Sequence, residues 1–331
     1  MSTPLRWGIL GTSFISGVMA DAIAAEGQTR IQAVAGRHPE RLAQFADQYG
    51  IEQRYQDFDA LIADPEVDIV YIALPNHLHH DYVVKAAEAG KAILCEKSLS
   101  VDMAGTEAAL GAVADAGVFF AEGLMYLNHP VIARAVELVR EGGLGDLRAI
   151  HASYSAAISQ FVNPGSKGTL YNLGCYPASL AHLMLQQVGL TNPFDGAQIQ
   201  ALGRRGEDGN ICESAASLRL RNGVAMQLHS AEDYGLDWQF TLVGSDASLK
   251  MVTNPWLPGA NNTLQLTPHE QPAQTIEVAA EGDAFLYQVR AVRQALEAGQ
   301  RQLSRPAAMV QDSREIMALL TRWEAATATV Q

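Results

Sequence analysis

A glycine-containing turn near the start of the chain has the residue types that bind a dinucleotide. The turn reads Gly-Thr-Ser-Phe-Ile-Ser-Gly from Gly11 and follows an apolar run at residues 6–10. In the dinucleotide fingerprint, three glycines permit a tight turn, close approach of the backbone to the pyrophosphate, and close helix packing. Here Gly11 fills the first position, whereas Ser13 and Ser16 stand at the other two. The turn is a weakened form of this fingerprint and predicts a nucleotide site. An ordinary turn between strand and helix remains the alternative.

The second apolar run, residues 31–35, is followed by a basic stretch that bears on cofactor choice. An NAD-specific site has an acidic residue in this region that holds the ribose 2′-hydroxyl, and the chain has none there. Arg37 occupies the neighbourhood, and a guanidinium can bind a 2′-phosphate through paired hydrogen bonds and stack on the adenine. His38 and Arg41 are placed to assist. We therefore predict NADP rather than NAD, unless the two arginines are solvated charges at the start of a helix.

Both stretches require a parallel sheet to position them, and the first third of the chain has that pattern. Short apolar runs at residues 6–10, 31–35, 68–74 and 92–95 alternate with alanine-rich segments of helical spacing. Gly90 and Gly117 stand where helices would end. The alternation predicts a doubly wound Rossmann domain of α/β class over residues 1–122, with ligands beyond the carboxyl ends of its strands.

The remainder of the chain has a different pattern. After a helical segment at residues 131–141, residues 217–220 and 224–228 flank Asn222-Gly223, the strongest short hairpin signal. Residues 241–243 and 248–251 lie on either side of Gly244 in a similar pattern, which predicts a second hairpin. Helical spacing returns at 284–298 and 311–326. We predict a C-terminal α+β domain over residues 123–331 with a large, mostly antiparallel, open-faced sheet.

Composition excludes several classes of protein. The 331 residues are 48% hydrophobic and 18% charged, without an apolar run of the roughly 18 residues that a membrane helix needs. With 23 Lys and Arg against 36 Asp and Glu, the net charge of −13 disfavours nucleic acid as a partner. Three cysteines and a start without signal-peptide features lead us to expect a soluble protein of the reducing cytoplasm.

The chain also resembles a known family over nearly its whole length. The motifs are Gly11-x-Ser13, Pro75-Asn76-x-x-His79, Ala89-Gly90-Lys91 leading to Glu96-Lys97, Glu122-Gly123-Leu124-Met125-Tyr126 and His129-Pro130. Together they look like the glucose–fructose oxidoreductase, inositol dehydrogenase and rhizopine-catabolism (Gfo/Idh/MocA) family. The resemblance implies an NAD(P)-binding domain and hydride transfer between nicotinamide and the carbinol or carbonyl of a sugar, polyol or related alcohol.

The resemblance also implies roles for individual residues. Lys97 would be the catalytic lysine, because an ammonium beside an oxidised nicotinamide has a lowered pKa and can hydrogen-bond the reacting oxygen. Glu96 would orient it. Tyr176 matches the tyrosine branch, similar to dihydrodiol dehydrogenase and NADP-dependent xylose dehydrogenase, and would donate or accept the proton. Asn172, four residues earlier on the same helix face, would hydrogen-bond the substrate. The predicted cofactor-binding residues are Gly11, Thr12, Ser13, Phe14, Ile15, Gly36, Arg37, His38, Arg41, Leu74, Pro75, Asn76, His79, Glu96 and Lys97.

Three positions depart from the family pattern. Asn172 replaces an aspartate and cannot ionise. Ser98 replaces a proline, and because a cis bond before a non-proline residue costs about 2.5 to 4 kcal/mol, we expect the Lys97–Ser98 bond to be trans. Leu127 replaces an arginine, which indicates a less anionic or less polar substrate pocket. Two alternatives therefore stay open: a nicotinamide-dependent glycosidase, and a cofactor-binding sensor that has lost catalysis.

Several other residues carry weaker signals. His77, His79 and His80 lack a matching set of carboxylates or cysteines, so we predict no metal site. Cys175 is expected to be a buried, inert thiol. Trp256 could either stack on a sugar or have a structural role.

We also expect a homodimer, or a dimer of dimers, formed through the exposed face of the C-terminal sheet. The resemblance implies this arrangement, and one face of such a sheet needs a cover. The alternating residues Val224, Met226 and Leu228 would supply apolar side chains there.

Overall fold

The computed structural model describes residues 4–329, and its contacts divide the chain into two compact units. The first takes in the chain through Met125 together with Phe285–Arg305, and the second takes in Tyr126–Ala284 and the chain from Pro306 onward. The late segment lies with the first unit because Arg293 Nε donates to Glu26 Oε1 at 2.7 Å and Phe120 N donates to Arg301 O at 3.0 Å. The division thus differs from a single boundary after residue 122.

The first unit contains a six-stranded parallel sheet. Its strands are β1 (Leu5–Leu10), β2 (Thr29–Ala35), β3 (Gln53–Tyr55), β4 (Ile69–Ile72), β5 (Ala92–Cys95) and β6 (Phe120–Glu122); its helices are α1 (Phe14–Glu26), α2 (Pro39–Tyr49), α3 (Phe58–Ile62), α4 (Asn76–Glu88), α5 (Met103–Ala116) and α8 (Ala284–Glu297). The strand order β3-β2-β1-β4-β5-β6 is that of dinucleotide-binding proteins. The predicted Rossmann fold is confirmed.

Local sequence explains where these elements begin and end. All four residues of β4 are buried, as expected for a strand covered on both faces. Asp102 caps α5, since its carboxylate accepts from Gly105 N at 2.8 Å. Gly117 ends that helix with a φ of 63°, and Gly90 follows α4 with a φ of 71°. Both predicted glycine stops are therefore confirmed.

The second unit contains a nine-stranded sheet. Its strands are β7 (Leu147–Ala156), β8 (Gln198–Arg205), β9 (Ile211–Arg219), β10 (Ala225–Ala231), β11 (Leu236–Gly244), β12 (Ala247–Met251), β13 (Asn261–Pro268), β14 (Gln274–Ala279) and β15 (Thr327–Thr329); its helices are α6 (Pro130–Arg140), α7 (Cys175–Gln187) and α9 (Val310–Ala326). The order is β14-β13-β12-β11-β7-β10-β9-β8-β15, and among the described strands of this sheet only the pairs β7–β10 and β8–β15 are parallel. Both predicted hairpins, β9–β10 and β11–β12, are confirmed.

The exposure of residues on the two faces of this sheet contradicts one prediction. Val224, Met226 and Leu228 are 2%, 1% and 2% exposed, so they lie on the covered side. Gln227 and His229, which alternate with them, line the open face instead. The expectation that the three apolar residues form an exposed surface was wrong, because apolar side chains are stabilised on the face that is removed from water.

Within residues 4–329, no helix combines the length and the apolar character needed to cross a bilayer.

Candidate active site

The turn after β1 has a backbone that only glycine allows. Gly11 has a φ of 107°, and a Cβ there would stand 2.5 Å from the carbonyl oxygen of Ala73. Gly11 N donates to Ala35 O at 2.9 Å, which joins this turn to the end of β2. Ser16, at the third fingerprint position, accepts from Ser13 N at 3.2 Å and so closes the first turn of α1. The side chain of Phe14 is exposed beside it, and Ile15 follows half-buried.

The basic stretch after β2 lies next to this turn. A Cβ on Gly36 would stand 3.0 Å from Thr12 Cγ2, so the two turns are in contact. Arg37 and His38 are exposed just before α2. Arg41 lines a cleft of about 610 Å³ together with Thr12, Ser13 and Phe14. The structure thus brings the glycine turn and Arg41 to one cleft and leaves Arg37 at the end of the adjacent strand.

The stretch from Leu74 to His79 contains a buried histidine that contacts the backbone after β4 and after β5. Pro75 precedes α4, whose first residue Asn76 is buried. His79 is fully buried, with Nδ1 2.7 Å from Ser98 O and Nε2 2.6 Å from Leu74 O. Burial lowers the pKa of His79 to about 4, so the imidazole is neutral at pH 7. His79 therefore fixes the end of β4 to the segment that carries Lys97.

Lys97 follows β5, and the backbone amides of Lys97 and Leu99 are both bound by buried glutamates. Glu96 Oε2 accepts from Lys97 N at 3.2 Å, and Glu96 Oε1 accepts from the Tyr71 hydroxyl at 2.7 Å. Leu99 N donates to Glu122 Oε1 at 3.0 Å. Burial raises the pKa of Glu96, while the positive charge of Lys97 opposes that rise. The orienting role expected for Glu96 thus has a concrete contact at the Lys97 amide.

The Lys97–Ser98 peptide bond is cis, so the prediction of a trans bond was wrong. Ser98 is fully buried, its carbonyl oxygen contacts His79, and the next amide is bound by Glu122. Tertiary hydrogen bonds rather than residue type set this peptide, and spacing in the sequence does not reveal them.

In the second unit, Asn172 and Tyr176 lie where a π-helical turn, Leu170–Gly174, leads into α7. They are 5% and 7% exposed. Asn172 Nδ2 donates to Glu232 Oε2 at 2.7 Å. The Tyr176 ring packs edge-on against Tyr154, with centroids 5.3 Å apart. Sequence reasoning missed Glu232, although an acidic residue directly after a strand was a signal that could have found it.

Tyr176 belongs to an aromatic cluster with Tyr126, Tyr154 and Trp256. Ring centroids of Tyr126 and Trp256 lie 5.6 and 6.1 Å from that of Tyr176. Burial raises the pKa of Tyr154 to about 12. Trp256 is fully buried and its Nε1 donates to Ser153 O at 3.1 Å, so Trp256 is structural and the sugar-stacking interpretation was wrong.

Leu127 and the three cysteines are buried, whereas His77 and His80 are half-buried. Leu127 is 1% exposed, and Cys95, Cys175 and Cys212 are buried free thiols. Among the residues that the structure describes, no group of three His, Cys, Asp or Glu side chains could hold a metal ion.

Comparison with protein families agrees with this architecture. Residues 5–124 match the model of an oxidoreductase family with an NAD-binding Rossmann fold, and residues 132–250 match the Gfo/Idh/MocA C-terminal domain. A D-xylose 1-dehydrogenase (NADP(+)) of Haloferax volcanii is 35% identical over 187 residues, which cover 55% of this chain and 57% of that protein. This match therefore spans little more than half of that relative.

Other relatives align over more of the chain. The bovine trans-1,2-dihydrobenzene-1,2-diol dehydrogenase is 26% identical over 310 residues, covering 89% of each protein. The crystal structure of KijD10, a 3-ketoreductase from Actinomadura kijaniata, in complex with NADP is 25% identical and covers 99% of both chains with a TM-score of 0.85. With both domain models matched in order and the fold shared from end to end, the chain belongs to the Gfo/Idh/MocA oxidoreductase family.

Proposed function

We propose that this protein is an NADP-dependent oxidoreductase that transfers a hydride between nicotinamide and the carbinol or carbonyl carbon of a sugar, polyol or related small alcohol. The observation that carries the proposal is Lys97, held by buried hydrogen bonds at the carboxyl end of β5 in a dinucleotide-type sheet. Relatives support it: one is named an NADP-dependent xylose dehydrogenase, and KijD10 was crystallised with NADP. KijD10 variants with one lysine or one tyrosine replaced were also crystallised.

The first unit has the features that a dinucleotide requires. Gly11 permits the tight turn after β1, because a Cβ there would meet the Ala73 carbonyl, and this turn leads into the start of α1, where a helix N-terminus can bind a pyrophosphate. Arg37 and Arg41 provide cationic groups for a 2′-phosphate, and Arg41 lines the cleft at the glycine turn. The bound nicotinamide would supply the hydride donor or acceptor.

Lys97 and Tyr176 are proposed to handle the proton that accompanies hydride transfer. When a carbinol is oxidised, its hydroxyl loses a proton as the hydride leaves, and the reverse step returns that proton. The hydrogen bonds around Lys97 N and Leu99 N fix the backbone from which the ammonium extends. The aromatic cluster fixes the Tyr176 ring, so the phenol has little freedom to turn away.

A panel of sugars, polyols and aromatic diols, followed at the absorbance of the reduced nicotinamide, tests the proposal. We expect turnover with NADP, and a loss of about a hundred- to ten-thousand-fold in Lys97→Met and Tyr176→Phe with NADP affinity little changed. Lys85→Met is the matched lysine control, because Lys85 pairs with Asp59 on the surface. Full rates in both variants would contradict the proton roles, and NADP binding without any turnover would favour a sensor.

We further propose a homodimer joined through the open face of the nine-stranded sheet. That face forms a shallow concavity of about 730 Å³ lined by small and polar side chains, including His151, Gln200, Ala215 and Gln227. Leu202 is 63% exposed on the same face. A second copy would cover a sheet surface that small side chains allow to approach closely.

A further inference from the structure

Tyr71 is a buried residue to which the proposed reaction gives no role. It is the third residue of β4, within the apolar run that predicts this strand, and it is 0% exposed. Its neighbours in the sheet are Ile9 on β1 and Leu94 on β5, both fully buried. A buried phenol needs a hydrogen-bond partner. Phenylalanine would fill the same apolar position without that requirement, so packing alone does not account for the hydroxyl group.

The Tyr71 hydroxyl reaches the end of the neighbouring strand. It donates to Glu96 Oε1 at 2.7 Å, and Glu96 stands between the end of β5 and Lys97. Within the residues that the structure describes, Tyr71 is the only side chain that donates to this carboxylate. The backbone amide of Lys97 donates to the other oxygen, Oε2, at 3.2 Å. Tyr71 and Lys97 are therefore joined through the two oxygens of one carboxylate.

The Glu96 carboxylate is enclosed by the chain that follows β6. Glu96 is 6% exposed, and a Cβ on Gly123 would stand 3.0 Å from Glu96 Cα and 3.2 Å from Glu96 Oε1. Gly123 N donates to Cys95 O at 2.6 Å, which holds this part of the chain against the carboxylate. A carboxylate that is removed from water depends on the hydrogen-bond donors that the protein supplies. The loss of either donor would therefore change its charge and its orientation.

The charge of Glu96 depends on opposing effects. Burial raises the pKa of Glu96, whereas the positive charge of Lys97, the Tyr71 hydroxyl and the Lys97 amide lower it. Cys95 and Glu122 are the other titratable groups beside it. Burial and the charges of the two glutamates raise the pKa of the Cys95 thiol, so this thiol is neutral. Removal of the Tyr71 hydroxyl would raise the pKa of Glu96 further, because one donor to the charged form is lost.

We propose that Tyr71 is a positioning residue for the reaction described under Proposed function, on which this inference rests. Tyr71 holds the Glu96 carboxylate in its ionised form and in one orientation. The ionised carboxylate binds the Lys97 amide and attracts the Lys97 ammonium, so it limits the positions of the group that would hydrogen-bond the reacting oxygen. Because Tyr71 is fully buried, it acts through Glu96 and not on the substrate.

Tyr71→Phe tests the hydrogen bond, because it removes the hydroxyl and keeps the ring. We expect kcat to fall about tenfold, since a hydrogen bond to a charged group is lost behind Lys97. KM and NADP affinity should stay within about twofold of wild type, because no contact to a ligand is removed. Tyr55→Phe is the matched control: the Tyr55 hydroxyl, on β3 of the same sheet, donates to Asp64 Oδ2 at 3.1 Å. This control should change kcat by less than about twofold.

Three further readouts separate positioning from a merely structural role. In protein with ¹³C-labelled glutamate carboxyls, the resonance that Glu96→Gln removes belongs to Glu96, and in Tyr71→Phe it should titrate at higher pH than in wild type. The acid limb of kcat/KM should move to higher pH in the same variant. In the Glu96→Gln background, Tyr71→Phe should lower kcat by less than about twofold, because the carboxylate through which Tyr71 acts is gone.

The outcomes are distinct. An unchanged Glu96 titration in Tyr71→Phe, or an equal loss of kcat in the wild-type and Glu96→Gln backgrounds, would overturn the inference and leave the proposed function intact. A rise in KM with unchanged kcat would also overturn it, since the effect would then lie in binding. A wild type that binds NADP and turns over nothing in the substrate panel would overturn the proposed function and the positioning role with it, and a shifted titration would then report a structural hydrogen bond only.

Discussion

The buried imidazole of His79 leads to a prediction about pH and stability. Two carbonyl oxygens lie 2.7 and 2.6 Å from its ring nitrogens, and a protonated ring could donate to both. Burial opposes this protonation, as do the nearby charges of Lys97 and His77, and the pKa falls from 6.5 to about 4. The neutral ring donates to one carbonyl only, but the cost of burying a charge outweighs the second hydrogen bond, so the fold prefers the uncharged form.

The size of the effect follows from linkage. One pKa unit corresponds to about 1.4 kcal/mol, so the full shift corresponds to about 3 kcal/mol. A histidine whose folded pKa is lowered contributes this stability above pH 6.5 and loses it as pH falls from 6.5 toward 4. Since the chain has a pI near 5.1, pH 5.5 is a practical lower limit, and about 1 kcal/mol should be lost by then.

Hydrogen exchange of peptides covering β4 and β5 measures the free energy of local opening, and we compare it at equal pH between wild type and His79→Gln. The opening free energy of wild type should fall relative to the variant by about 1 kcal/mol between pH 8 and pH 5.5. His79→Leu removes the hydrogen bonds as well. It should show the same pH dependence as His79→Gln, with a lower opening free energy at every pH. If wild type instead gains stability on acidification relative to both variants, the ring is protonated in the fold and the reasoning is refuted.

Three other changes test the cofactor site and the assembly. Arg37→Ala should weaken NADP binding by roughly ten- to a hundredfold in a fluorescence titration and leave NAD unchanged, because the 2′-phosphate loses a charge-assisted hydrogen bond; equal affinities for both cofactors in wild type would contradict the assignment. Gly11→Ala should lower the unfolding free energy by about 2 kcal/mol and reduce NADP affinity, since the new Cβ would meet the Ala73 carbonyl at 2.5 Å; unchanged affinity in calorimetry would count against a site at this turn. Ala215→Arg should convert a dimer to a single 35.6 kDa chain in light scattering, whereas a wild type that already has that mass would refute the dimer.

The parallel sheet was predictable because its signals are local. Continuous apolar runs such as residues 92–95, and glycines at helix ends, need no knowledge of distant residues. The strand β3 lacked such signals: it has three residues, Gln53–Tyr55, and its first two are exposed. Apolar alternation also identified β10 correctly as a strand, but the pattern marks two faces without saying which one a helix covers, and Val224 was assigned to the wrong one.

The candidate site was predictable only in part. The family resemblance proposed Lys97 and Tyr176 as site residues, yet the contacts around them join residues far apart in the chain. His79 reaches Ser98, Leu99 reaches Glu122, and Asn172 reaches a carboxylate sixty positions away. Such tertiary hydrogen bonds leave no period in the sequence, which is why the cis peptide at Ser98 and the contact between Asn172 and Glu232 were not predicted.

The three departures from the family motif do not argue for a chain that has lost its chemistry. Ser98 is buried with its carbonyl oxygen against His79, and Leu127 is packed in the core at 1% exposure. Asn172 lacks a charge of its own and donates a hydrogen bond to the carboxyl group of Glu232. The aligned relatives are named as dehydrogenases and a ketoreductase, which favours the oxidoreductase over the sensor.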